Sequence, residues 1–168
     1  MNIDIDNYEY DSLISDILDN REFMKIESCT HHKTSRLEHS KRVSFISYKI
    51  CKKLKFDYIS AARAGLLHDF FINKYSDEKG NKLIKNHPKI ALANARKCFK
   101  LNKKEINIIE SHMFPLNFKI FPKYKESYVV SIVDKFVCIY EEIKGYSGLL
   151  GFKLGKFAIY MALFVFNK

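Results

Sequence analysis

The sequence predicts an all-α protein folded as a single helical domain over residues 1–168. Strict alternation of apolar and polar residues is scarce, whereas apolar residues recur at the helical period of 3.6 along the whole chain. Only six glycines and three prolines occur, and no low-complexity tract or internal repeat is present, which argues against linkers, solenoids and disorder. With 47% hydrophobic residues the chain can bury one sizeable core, but it is short for two. It is expected to fold throughout, apart from its first few residues.

A first helix is expected from about Tyr8 to Asn20. In LEHSKRVSFISYKICKKLK (37–55), Val43, Ile46, Ile50 and Leu54 form one stripe, and counting back four from Val43 places His39 on it. A third helix, about 58–71, carries Ile59, Ala62, Leu66, Leu67 and Phe70 and delivers His68 and Asp69 near its C-terminal end. The polar stretch NKYSDEKGNK (73–82) reads as a loop. In NHPKIALANARKCF (86–99), Pro88 suits the first helical position, with His87 immediately before it at the helix mouth.

Asn102 followed by Glu105 is a capping-box variant that opens a helix bearing Ile106, Ile109 and Met113. His112 lies near the end of that helix, which Pro115 enforces. A long helix from about 125 to 144 has Val130, Val133, Phe136, Val137 and Tyr140 as its apolar set, with Asp134 among them. Near the C-terminus, FAIYMALFVF (157–166) is too short to span a bilayer, which takes about 20 apolar residues. It reads first as a final core helix within about 153–167, second as a homodimer contact, and third as an interfacial membrane helix.

The formal net charge is +10, from 29 Lys and Arg of which only five are Arg. Such a surface attracts anions in general, so it favours a phosphate-bearing partner and leaves nucleic acid open. Cys29, Cys51, Cys98 and Cys138 show no CxxC spacing, and the acidic start MNIDIDNYEYD lacks the features of a signal peptide. Reduced thiols and a cytoplasmic location are therefore expected.

The eight residues AGLLHDFF (64–71) embed a histidine and a carboxylate in core-like sequence. Burying an unpaired charge costs several kcal/mol or more, so a partner or a metal should compensate it. His39, His68, Asp69, His87, His112 and Asp134 all fall on or beside inward helical faces. Each alone is more simply a hydrogen-bonded core residue. Together they suit a divalent first-row metal, whose charge offsets buried carboxylates.

The order His39, then His68-Asp69, then Asp134 resembles the HD superfamily of metal-dependent phosphohydrolases, an all-α helical bundle. RLEHSKRVS and ARAGLLHDFF are similar to its first two motifs and SIVDKF to its last, over roughly residues 30–140. The resemblance implies that His39, His68, Asp69 and Asp134 hold one ion. The additional His87 and His112 imply a second, bridged by Asp69, with iron or manganese ahead of magnesium, zinc, nickel or cobalt.

It also implies hydrolysis of a phosphoester or phosphoanhydride through a metal-activated hydroxide that Asp69 orients. Arg36, Lys74 and Lys135 are the cations near the motifs that could meet charge on the phosphoryl group, Arg36 foremost because it lies one turn before His39. The expected substrate is a small phosphorylated molecule, a nucleotide first, with dinucleoside tetraphosphates and nucleoside monophosphates as equal competitors. Two features depart from relatives in the family: HDFFINK replaces the frequent HDIGK, and HMFPL stands where cyclic-di-GMP phosphodiesterases have a Gly-Tyr-Pro extension. The competing reading is a catalytically silent module that keeps the fold for binding or regulation.

Overall fold

A computed structural model of the chain describes residues 3–31, 34–72 and 81–144. Lys74, the 73–80 part of the expected loop, and the apolar run 157–166 lie outside the described residues. Within them are seven α-helices, in chain order α1 (Ile3–Leu18), α2 (Arg21–Met24), α3 (Arg36–Lys53), α4 (Tyr58–Leu67), α5 (Asn81–Cys98), α6 (Lys103–Ser111) and α7 (Lys125–Lys144). A 3₁₀ turn (Lys25–Ser28) and a small antiparallel hairpin of β1 (Thr30–His31) with β2 (Thr34–Ser35) connect α2 to α3. The all-α fold class expected from the sequence is what the structure shows, and this hairpin is a local addition to it.

Side-chain caps start most of these helices. Asn20 accepts from the amides of Glu22 and Phe23 before α2, Ser35 from Glu38 before α3, and Asp57 from Ser60 before α4. Such caps satisfy amide donors that no preceding turn can reach. At α6 the expected capping box forms in full: the Asn102 side chain accepts from Glu105 N, and the Glu105 carboxylate accepts from Asn102 N.

The core gathers Tyr10, Ile14 and Ile17 of α1, Phe23 of α2, and Val43, Tyr48 and Ile50 of α3. Leu66 and Leu67 of α4, Ala91 and Leu92 of α5, Ile108 and Ile109 of α6, and Val130, Val133 and Val137 of α7 complete it. Small residues let α3 and α4 approach closely. Ser40, Ser44 and Ser47 of α3 and Ala61, Ala62, Ala64 and Gly65 of α4 are all buried, Ser44 Oγ donates to Ala62 O at 2.6 Å, and a Cβ placed on Gly65 would lie 3.1 Å from Ser44 Cα. The two helices are thereby fixed against each other at the level where α4 runs out into His68.

Four expectations change. The first helix begins at Ile3 rather than about Tyr8 and ends at Leu18. Ile59 is 44% exposed rather than part of the core stripe. The third helix ends at Leu67, so His68 caps it and Asp69 stands just beyond. Pro88 lies inside α5 rather than at its start, so His87 occupies the second turn of a helix and not its mouth. A proline in that position gives up one ladder hydrogen bond, a loss the fold accommodates.

Candidate metal centre

Helix ends and one helical face bring the six histidine and aspartate candidates together. His68 and His112 are the C-caps of α4 and α6, and their Nδ1 atoms lie 2.8 Å from the carbonyl oxygens of Gly65 and Ile109, each three residues back. A carbonyl can only accept, so in both rings Nδ1 carries the proton and the neutral ring keeps a bare lone pair on Nε2. The same bonds satisfy carbonyls that a helix end leaves without partners.

Those Nε2 atoms point into a shared interior space. His68 Nε2 is buried with no hydrogen-bond partner, 3.5 Å from Asp134 Oδ1 and 3.9 Å from Asp69 Oδ2. His112 Nε2 is 2.8 Å from His87 Nε2 and 3.6 Å from Asp69 Oδ1, which in turn is 3.4 Å from His87 Nε2. On the other flank, His39 Nε2 is 3.1 Å from Asp134 Oδ1. Asp69 therefore directs one oxygen toward His87 and His112 and the other toward His68.

Two overlapping groups result. In His39, His68 and Asp134, and again in His68, Asp69 and His112, every ligand atom lies within 4.8 Å of the others, and all these residues are buried. His87 adjoins the second group by the distances above. Imidazole nitrogens and carboxylate oxygens suit divalent first-row metals, and a buried imidazole nitrogen without a hydrogen-bond partner is what such an ion would use. The residues fit the group.

Electrostatics agree. Burial pulls the His39 imidazole down, but Asp134 and Glu141 outweigh it and lift it to about 10. Burial likewise works against ionised Asp134, yet Lys135, His39 and His68 hold its carboxyl well below the usual range. His112 is driven the other way, well below the ordinary histidine value, by burial and then by the neighbouring His87 and His68. The pocket thus contains ionised carboxylate that holds a proton on His39, a positive charge that a metal ion would replace, beside the His112 imidazole kept neutral and able to ligate.

The expected cations take different places. Arg36 is buried, with Nη1 donating to Phe71 O at 2.6 Å, Nε 4.0 Å from Asp69 Oδ2, and the guanidinium 3.7 Å above the Phe71 ring. Lys135 donates to Asp134 Oδ2 at 3.0 Å and to His112 O, while a quarter of its side chain stays exposed. The sequence reading passed over Glu141 and Arg42. Glu141 Oε2 is 2.9 Å from His39 Nδ1, and Glu141 Oε1 is 2.5 Å from Arg42 Nη1. Its signal was present, since Glu141 follows Asp134 by two helical turns on the same face, but a glutamate in YEEIK reads as solvated.

Fold and centre together define a class, an all-helical protein with a buried histidine and aspartate cluster of metal-ligand geometry. The family model described as HD domain matches residues 36–138. The chain belongs to the HD domain family, whose superfamily is one of metal-dependent phosphohydrolases. Neither a curated protein nor a solved structure gave a match. Among the described residues no helix is long and apolar enough to cross a membrane.

Proposed function

We propose that the protein is a metal-dependent phosphohydrolase acting on a small phosphorylated molecule, a nucleotide foremost, from one domain spanning residues 1–168. The observation that carries this reading is the pair of overlapping groups in which His68 and His112 have Nδ1 committed to backbone carbonyls and Nε2 facing buried carboxylates. His39, His68, Asp69 and Asp134 would hold one divalent ion, and Asp69, His87 and His112 a second, with iron or manganese preferred. Bound there, such ions supply Lewis-acid polarisation of a phosphoryl group and lower the pKa of water.

The chain's own groups organise this chemistry. Arg36, locked between the Phe71 ring and the Phe71 carbonyl, keeps Asp69 oriented and offsets its charge. Lys135 shields Asp134 and, being partly exposed, is the cation we assign to the phosphoryl oxygens. The Phe71 ring, 5.2 Å from the His87 ring, helps exclude water from that flank. Dinucleoside tetraphosphates and nucleoside monophosphates are the two substrate classes to test first.

The test is elemental analysis of protein purified without chelator, followed by phosphate release from a nucleotide panel, with Asp69→Asn alongside. Roughly two equivalents of metal, turnover of at least one nucleotide, and loss of both in the variant are expected. Stoichiometric metal without turnover of any nucleotide would favour the silent binding module. Protein that takes up no metal even on reconstitution would overturn the reading.

A further inference from the structure

His68 and His112 each place Nδ1 on a carbonyl at the end of their own helix, whereas His39 directs Nδ1 to a side chain of another helix. It sits in the second turn of α3, where the preceding carbonyls are engaged in the helical ladder. Its Nδ1 instead meets Oε2 of Glu141 at 2.9 Å, across the interface from α3 to α7. Glu141 is buried, and its second oxygen meets Arg42 Nη1 at 2.5 Å. Arg42 also approaches Thr34 Oγ1 at 3.4 Å and Glu38 Oε2 at 3.7 Å, so its guanidinium is anchored at the rim.

We infer that Glu141 is a positioning residue of the metal centre, holding His39 with Nδ1 protonated and Nε2 aimed at the space shared with Asp134 and His68. The inference rests on the metal-dependent reading above. A carboxylate accepting from the distal nitrogen fixes the tautomer and ring orientation of a ligating histidine and makes it a more basic ligand. Arg42 offsets the charge that this places in the interior. Asp134 and Glu141, two turns apart on one helix, thus grip His39 from both of its ring nitrogens. No backbone carbonyl could supply the same charge.

A simpler role is available to Glu141, that of an ion pair with Arg42 tying α3 to α7. The two roles separate in metal affinity. The experiment uses the full chain and Mn²⁺ as probe, reading free Mn²⁺ by electron paramagnetic resonance during titration of wild type, Glu141→Ala, Glu141→Gln and Arg42→Met. Glu141→Ala is expected to weaken one class of bound ion about 10–100-fold, the usual effect of losing such a partner. The ion that His87 and His112 serve should bind nearly as before. Glu141→Gln, whose amide oxygen still accepts from Nδ1–H but carries no charge, should fall between wild type and Glu141→Ala. Arg42→Met should lower thermal stability while keeping affinity closer to wild type.

Wild-type affinity in Glu141→Gln, or in a folded Glu141→Ala, would overturn the inference and leave the metal-dependent reading standing. Should Glu141→Ala fail to fold, Glu141→Gln decides alone. A wild-type protein that binds no Mn²⁺ would overturn the parent reading and this inference with it.

Discussion

Replacing Arg63 by Met tests how the helices that carry the centre are held. Arg63 projects from α4, five residues before His68, and joins three helices. Its guanidinium donates to both carboxylate oxygens of Asp16 in α1, at 2.6 and 2.8 Å, and to Leu13 O at 2.8 Å. Its Nε lies 3.3 Å from Glu105 Oε1, and Glu105 is the buried capping-box residue of α6. Methionine keeps the stem and removes every one of these contacts.

The Asp16 contribution is small, because that side chain is half exposed and such pairs are worth about 0–1 kcal/mol. Losing the charged donor to Leu13 O costs about 1.5 kcal/mol, and leaving Glu105 buried without its cation about 1–3 kcal/mol. Since these losses overlap, a net destabilisation of about 3 kcal/mol is expected, equivalent to roughly 6–12 °C in Tm for a chain of this size. Urea unfolding followed by circular dichroism measures it.

The sign with pH is fixed as well. Burial already raises the Glu105 carboxyl above its ordinary value, against the pull of Asn102 N and Arg63. Without Arg63 it rises further, so the folded state binds the proton more readily than the unfolded chain does. Stability then falls as pH climbs through the raised folded value, and the deficit of Arg63→Met should be larger at neutral pH than near pH 4.5. Adding Glu105→Gln should recover about 1 kcal/mol at neutral pH, since the buried charge is then gone. A deficit below about 1 kcal/mol, or one that grows on acidification, would refute the reasoning.

Three further outcomes are expected. Mn²⁺ at a hundredfold excess over its Kd should stabilise the native state by about 2.7 kcal/mol, or roughly 5–11 °C, and EDTA should reverse the shift; a scan insensitive to both would count against the metal centre. Gly65→Ala puts a Cβ 3.1 Å from Ser44 Cα, so overpacking of about 1–3 kcal/mol should exceed the helix-propensity gain of about 1 kcal/mol, and by parting α3 from α4 it should also weaken Mn²⁺ binding. Asn102→Ala removes the Oδ1 that accepts from Lys104 N and Glu105 N at the α6 cap and the Nδ2 bond to Ser60 Oγ, for a loss of about 1–2 kcal/mol in chemical denaturation with metal stoichiometry unchanged.

Much of this centre was legible because helical periodicity is a local property. Counting back from Val43 put His39 on a buried stripe, and the stripe of Val130, Val133 and Val137 put Asp134 beside them; all six residues are buried. The Asn102 and Glu105 pair fixed the start of α6 and so the depth at which His112 emerges. Pro88 misled, because a proline fits the first turn of a helix best, and nothing in the nearby residues showed that the helix begins at Asn81. Ile59 misled because a helical stripe is only an average direction, and the residue at its edge faces solvent.

By itself the sequence determined the helices, their inward faces and the residue types able to hold a metal, since each depends on neighbours within a few turns. Only the tertiary structure decided which nitrogen of each histidine faces the carboxylates, that Arg36 is spent on Asp69 and the Phe71 carbonyl, and that Glu141 lies against His39. Those contacts join residues as far as 102 positions apart, and no local period encodes them. They arise only when α3, α4, α6 and α7 pack at fixed depth and leave each buried polar atom to find the partner that packing brings within reach.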